Sequence, residues 1–351
     1  MSQAKSREPM VGLWLLVICA LTLAMIVVGG ATRLTDSGLS ITEWDLGKGL
    51  TPPLTDARWA EEFALYQHTT EYQLQNRGMS LSEFKYIYWW EWGHRFLGKL
   101  IGVVFALPFV FFWATGRLRG RFVPVLGLFA LGGLQGAIGW WMVTSGLWSG
   151  LDVSPIRLAV HLGMAFVIAG IALWLALDAF GWRSATRAHA MLPAFLALLF
   201  LQIILGALLA GSDGGAAYAD WPTIGGALVP ERAFALEPMW RNFVENHAAQ
   251  HLFHRTLGYV VAIIALVITA GSFARGDGRA RQFGLVLGGL ALMQAGLGVA
   301  TVLNASPLGL SLAHQFGAAA LWLCGVGALA IGGMPIPSTQ ITDSTAKNTI
   351  S

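Results

Sequence analysis

Eight apolar stretches alternate along the chain with polar connectors of very unequal length, at approximately 11–31, 92–113, 122–144, 157–178, 191–211, 252–273, 283–304 and 309–332. A hydrocarbon core of about 30 Å takes roughly 20 helical residues, so each stretch predicts one transmembrane helix. Inside a bilayer every backbone polar group must find its partner within the protein, which favours unbroken helices for runs this apolar. The first stretch follows Lys5 and Arg7, as a signal peptide would. It is long, however, and lacks an obvious small-x-small cleavage site before the polar residues after it, so it predicts a retained helix.

Charge sets the orientation. The short connectors at 114–121 (Arg117, Arg119, Arg121), 179–190 (Arg183, Arg187) and 274–282 (Arg275, Arg279, Arg281) are basic, which assigns them to the cytoplasmic side. The long connectors at 32–91 and 212–251 carry Asp36, Glu43, Asp45, Glu61, Glu62, Asp213, Asp220 and Glu245 and are expected outside. Eight spans then bring both termini to the cytoplasm.

The two halves repeat one another. Glu91 to Lys99 (EWGHRFLGK) matches His251 to Tyr259 (HLFHRTLGY) at an offset of 160. Gln135–Gly139 (QGAIG) matches Gln294–Gly298 (QAGLG), and His161 in AVHLG matches His314 in LAHQF. Gly29, Asp36, Gly38 and Trp44 match Gly206, Asp213, Gly215 and Trp221. The predicted fold is therefore an all-α integral membrane protein of eight transmembrane helices, arranged as two tandem, parallel-repeat four-helix bundles. Its expected divisions are a cytoplasmic N-terminus at 1–10, bundles at 11–180 and 181–334, and a polar cytoplasmic tail at 335–351.

Composition agrees: 55% hydrophobic and 12% charged residues with a mean hydropathy of +0.61 exclude an ordinary soluble domain. Fifteen tryptophans suit a membrane–water interface. A net charge of +3 gives no reason to expect nucleic acid. The only cysteines, Cys19 and Cys324, lie in apolar stretches near opposite ends, so neither a disulfide framework nor a cysteine metal site is expected.

Candidate chemistry lies where the repeat carries histidine. His94, His161, His254 and His314 fall within the first two turns of the second, fourth, sixth and eighth spans, which all run from outside to inside and place them at one depth. Facing helices of a four-helix bundle build ligand sites, so His94 is expected to face His161, and His254 to face His314. The alternative for each is an interfacial histidine bonded to a neighbouring helix; four at duplicated positions favour ligation. Two imidazoles fall short of a zinc site but complete the coordination of a heme iron. Gly98, Gly102, Gly136, Gly139, Gly163, Gly258, Gly296, Gly298 and Gly317 either leave room for a flat macrocycle or let helices pack closely. Arg95 and Arg255 lean outward, toward where propionates would meet solvent, or snorkel to headgroups. Lys99, one turn deeper, is a candidate for the same contact.

The copies differ at one telling position. Glu91 lies one turn before His94, whereas its counterpart is His251. A carboxylate beside one site alone can relay a proton there, which suggests a reacting site in the first half and an electron-transfer or structural site in the second. A helix acid favoured by the dipole is the competing reading. His247, His251 and His254 share a helical face and raise a separate metal site, while His68 and His189 belong to no constellation and are expected to be solvated.

The E-x-x-H-R-x-x-G-K run at 91–99, the H-R-x-x-G run at 254–258, and His161 and His314 together resemble the heme A synthase family, membrane enzymes that convert heme O to heme A for cytochrome oxidases. The resemblance covers all eight spans. It implies an oxidoreductase acting on CH or CH2 groups: two hydroxylations with water-derived oxygen turn the C8 methyl of heme O into a gem-diol that dehydrates to a formyl group. It further implies that His254 and His314 ligate a heme b cofactor in the second bundle. His94 and His161 would bind the substrate heme in the first, with Glu91 as the catalytic acid. The implied setting is the cell inner membrane, with the heme sites near the periplasmic side. Implied partners are heme O, heme O synthase, an electron acceptor and membrane lipid; a homo-oligomer is compatible with the pattern. Part of the family has a cysteine pair in the first external loop. Residues 32–91 have no cysteine, which aligns the chain with the cysteine-free branch of alphaproteobacteria and mitochondria and leaves the acceptor unassigned. Two other readings stay open: a quinone-linked diheme b-type electron-transfer protein, and a heme carrier or assembly factor. The loop positions Asp36, Trp44, Asp213 and Trp221 suit either a lid or a turn scaffold.

Overall fold

Helix ends are set by local chemistry in the computed structural model, which describes residues 7–42, 51–147, 151–183, 189–274 and 278–331. The order is α1 (Pro9–Leu34), α2 (Asp56–Gln67), α3 (Thr70–Leu74), α4 (Leu81–Ala114), α5 (Phe122–Leu147), α6 (Pro155–Phe180), α7 (Leu192–Gly211), α8 (Asn242–Glu245), α9 (His247–Ala274), α10 (Gly278–Leu303) and α11 (Leu308–Ile331). Eight of them, α1, α4, α5, α6, α7, α9, α10 and α11, are long and apolar enough to cross a membrane, matching the eight expected spans. There is no strand among the described residues. Leu13, Leu107, Phe111, Val123, Ile263 and Leu292 stand exposed on helix faces, a surface suited to lipid rather than water. Glu43, Trp44, Asp45, Arg187, Arg275, the side chain of Arg279 and the tail at 335–351 lie outside the described residues.

One boundary corrects the sequence reading. The apolar run puts the second span at 92, yet α4 starts at Leu81 and runs for 34 residues. Ser80 and Glu83 form a capping box at its start, satisfying backbone donors that the first turn leaves open. Its early turns bury Phe84, Ile87 and Tyr88 against Trp59 and Tyr66 of α2. His94 therefore sits in the fourth turn of its helix rather than the first two, and Glu91 is a mid-helix residue rather than a first-turn acid. Elsewhere the punctuation is ordinary: Pro9 and Pro155 open α1 and α6, and Gly181 closes α6 with a φ of 72°, a left-handed cap that glycine adopts without penalty.

In the first half α1 packs on α4 and α6, and α5 joins α6; in the second α9 packs on α7 and α10, and α10 on α11. The halves meet through α6 against α7 and α11, and α1 against α11. One apolar cluster holds Trp14, Leu15, Phe105, Phe112, Leu128 and Ala172. A second holds Phe166, Phe195, Leu199, Ala265, Leu287 and Leu321, drawing α6 into the core of the second half. Trp322 Nε1 donates to the Phe166 carbonyl at 2.8 Å across this seam. Arg121, 1% exposed, donates through Nε to Asp178 Oδ2 at 2.8 Å and fixes α5 to the end of α6.

Candidate functional site

The four repeated histidines come together in the expected pairs. His94 of α4 faces His161 of α6 with ring centroids 6.4 Å apart, and His254 of α9 faces His314 of α11 at 6.3 Å. A metal taking one nitrogen from each ring, at about 2 Å per bond, separates the centroids by roughly 6 Å. Both spacings fit such a bridge.

Each ring is seated against a glycine of a neighbouring helix. A Cβ built on Gly29 would lie 3.1 Å from His94 Nε2, one on Gly139 2.9 Å from His161 Cε1, one on Gly206 2.9 Å from His254 Cε1, and one on Gly298 3.0 Å from His314 Cε1. These four glycines form two repeat-matched pairs, Gly29 with Gly206 and Gly139 with Gly298. One turn before Gly139, Gln135 Nε2 donates to the His161 carbonyl at 3.0 Å; one turn before Gly298, Gln294 Nε2 donates to the His314 carbonyl at 2.9 Å. The repeated Gln-x-x-x-Gly spacing thus places two services on one helical face: a donor that fixes the histidine's backbone and a gap that admits its ring.

For the other glycines the outcome is mixed. Gly163 packs against Ile204 and Phe200, and Gly317 against Gln294, which is close helix packing. Gly98, Gly136, Gly258 and Gly296 line the cavity.

That cavity, about 1180 Å³ in volume, is lined by all four histidines and by Glu91, Arg95, Lys99 and Arg255. It exceeds the usual upper bound of about 1,000 Å³ for a small-molecule site. His161 Nδ1 and His254 Nδ1 are buried without a hydrogen-bond partner. Among the described residues no group of three or more His, Cys, Asp or Glu is placed to hold a metal ion. The donor set is two imidazoles per site in a largely apolar chamber, which fits axial ligation of a heme and not a protein-only metal cage.

Around Glu91 the arrangement is tightly specified. The side chain is 3% exposed. Oε2 accepts from Ser40 Oγ and the Ile41 backbone N–H, both at 2.7 Å, and Oε1 from Arg95 Nη2 at 2.6 Å and Nε at 3.0 Å. Arg95 Nη2 also donates to the Ile41 carbonyl at 3.0 Å. In the second half His251, 1% exposed, has Nε2 2.8 Å from the Gly214 carbonyl and Nδ1 3.0 Å from Arg255 Nη2. Arg255 donates further to the carbonyls of Asp220 and Thr223 at 2.8 Å and of Tyr218 at 3.3 Å. Both arginines thus fasten the long connecting loops while lining the cavity.

The remaining candidates separate clearly. His247 Nε2 lies 3.0 Å from the Ser212 carbonyl, so His247 and His251 are engaged by the loop and the three-histidine metal site is not assembled. His68 is exposed, as expected. His189 is half-buried rather than solvated: its Nδ1 accepts from the Met191 N–H at 3.2 Å and stabilises the turn into α7. Asp36 and Asp213 both take positive φ, 48° and 56°, and both bind Arg33, at 2.8 and 2.6 Å. They cross-link the loops of the two halves as turn residues. Trp221 donates through Nε1 to Tyr259 Oη at 2.8 Å.

Eight bilayer-length helices, with no strand among the described residues and two facing histidine pairs in one cavity, define a multi-pass membrane protein. More specifically, it belongs to the cytochrome oxidase assembly protein family, whose profile matches residues 12–326. It is similar to a protein named heme A synthase from Maricaulis maris (strain MCS10), 49% identical over 331 residues, 93% of this chain and 96% of the relative. Proteins of the same name from Parvibaculum lavamentivorans and Caulobacter sp. (strain K31) are 48% and 45% identical over 309 and 324 residues; the alignments cover 87% and 90% of this chain and 89% and 94% of the relatives.

Proposed function

We propose that this chain is a heme A synthase, an oxidoreductase that converts the C8 methyl of heme O to the formyl of heme A. The observation that carries the reading is the break in symmetry at 91 and 251. Two histidine pairs of nearly equal spacing share a cavity, and among the described residues only the first has a buried carboxylate one turn away. On this reading His94 and His161 bind the substrate heme in the N-terminal unit (11–180), and His254 and His314 hold heme b in the C-terminal unit (181–334). When bound, heme b supplies one-electron transfer away from the substrate.

The chain's own residues do the rest. Glu91, held by Ser40, Ile41 and Arg95, keeps a carboxylate at a fixed point of the cavity wall where it accepts protons from water and from the methyl group under oxidation. Each hydroxylation removes two protons and two electrons and takes its oxygen from water; the second gives a gem-diol that loses water. The electrons pass to a separate acceptor. Arg95 and Arg255 hold the external loops across the cavity mouth, limiting entry of bulk water, and with Lys99 they offer positive charge to propionates. The basic short connectors support an inner-membrane protein with cytoplasmic termini and heme sites toward the periplasm. Heme O synthase is the expected source of substrate.

The test is to express the chain in a host that makes heme O and to identify the extracted hemes. Heme A from the wild type, lost in Glu91→Gln with heme b retained, supports the enzyme. Two unmodified b hemes and no product would support a diheme electron carrier instead, and transfer of unchanged heme to an acceptor would support a carrier.

A further inference from the structure

The cavity reaches beyond the histidines toward the external loop, and a second buried acid lies on that route. Glu71 of α3 lines the cavity and is 4% exposed. Its Oε2 has no hydrogen-bond partner; the carboxyl is otherwise held by the Tyr66 hydroxyl and by a long contact of 3.4 Å from Asn76 Nδ2 to Oε1. Among the described residues no ion pair reaches it. A carboxyl kept out of water without a cation is costly to ionise. Facing it are the Tyr66 hydroxyl from α2, Glu91 from α4, Asp36 after α1, and Asp152 before α6. Burial first, and the negative charge of Glu91 second, push the Glu71 carboxyl up to about 8.

The same cavity is lined by Glu62, half-buried, and Glu61, exposed, both on α2. The cavity that holds Glu91 is thus also lined by acids of graded exposure, buried at Glu71, half-buried at Glu62 and exposed at Glu61. The second half has no such series: among residues 212–246 no acid is buried, and Asp220 is tied into a turn by Thr223, Gly225 and Gly226.

We propose that Glu71 is a proton relay of the N-terminal site, taking protons released into the cavity beside Glu91 and passing them by way of Glu62 to the external face. This rests on the heme A synthase reading, whose chemistry must discharge four protons per heme. The relay itself moves protons only: Glu71 accepts one from cavity water or Glu91 and gives one to water or Glu62, while the electrons of the oxidation leave by the separate acceptor. Glu71 acts through Glu91 and the cavity water, so it is a positioning and transfer group and not one that touches substrate.

The test uses the full chain in a heme O-supplying host. Glu71→Gln is expected to keep its heme absorption spectrum and to lower heme A formation about tenfold or more. It should also flatten the pH–rate profile near pH 8, and Glu71→Asp should restore part of both. Independently, the infrared pH-difference spectrum of the wild type should show a protonated-carboxyl stretch that fades near pH 8 and is missing from Glu71→Gln. A wild type that makes heme A alongside a Glu71→Gln variant of unchanged rate and profile overturns the relay alone. A wild type that makes no heme A overturns the functional reading with it. If Glu71→Gln loses its heme, the wild-type infrared band decides, and its absence below pH 8 refutes the relay.

Discussion

The glycine cradles make a quantitative prediction. In Gly206→Ala the new Cβ would stand 2.9 Å from His254 Cε1, whereas carbon atoms pack at about 3.5–4.0 Å. The ring must therefore retreat by roughly 0.6–1 Å, beyond the tolerance of about 0.2 Å expected for a metal–ligand distance. Alanine improves the helix by about 1 kcal/mol over glycine. Misorienting a metal-binding histidine typically weakens affinity by about 10–100-fold, or roughly 1.4–2.8 kcal/mol. Ligation loses more than the helix gains. Gly206→Ala is expected to lower the heme content of the His254–His314 site several-fold and alter its bis-histidine spectrum, and Gly298→Ala should act alike. Gly289→Ala, in the same helix as Gly298, is the control, since it is not among the residues lining the cavity and nothing lies within 4 Å of its added Cβ. The assay is heme per protein by pyridine hemochrome, with electron paramagnetic resonance of the ferric low-spin signals. Normal stoichiometry and an unchanged spectrum in Gly206→Ala would refute the cradle.

Other predictions follow from the contacts that hold the site. Arg255→Ala removes donors to the Tyr218, Asp220 and Thr223 carbonyls, each charged hydrogen bond being worth about 1.5–3 kcal/mol; amide exchange at 215–226 should rise sharply, and protection equal to wild type would argue against the clamp. Asp178→Ala removes the carboxylate that neutralises Arg121, 1% exposed, leaving its bond to the residue-178 carbonyl, and should cost up to about 3 kcal/mol, seen as a lower unfolding temperature in detergent. Hydrogen bonds from Gly226, Thr223 and Gly225 hold the Asp220 carboxyl below its ordinary 3.8. A depressed value contributes stability that is present above the unfolded value and lost as pH falls through the folded one. The 220–226 turn should therefore stay protected at neutral pH and open in acid, and Asp220→Asn should remove that dependence in hydrogen exchange.

Much of this arrangement was legible in the sequence because its signals are periodic or duplicated. The apolar stretches gave the spans, and the doubled H-R-x-x-G run gave the histidine pairs. What escaped depends on contacts that no local pattern encodes. The start of α4 lies in a polar and aromatic run that hydropathy reads as loop, although Ser80 and Glu83 carry a capping-box signal. Gly29 and Gly206 appeared in the repeat, but their role emerges only when α1 meets α4 and α7 meets α9. Arg95 and Arg255 point at loop carbonyls because the long connectors fold back over the cavity, a return path that spacing does not specify. Glu71 has neither a motif nor a repeat partner, so only its burial reveals it.

The central claim is a division of labour between two similar histidine pairs, and the heme content of paired variants tests it most directly. In a host supplying heme O, the His94→Ala/His161→Ala protein should retain heme b alone and make no heme A. The His254→Ala/His314→Ala protein should lose heme b and still hold heme O at the first pair. Loss of the same heme from both variants would contradict the account.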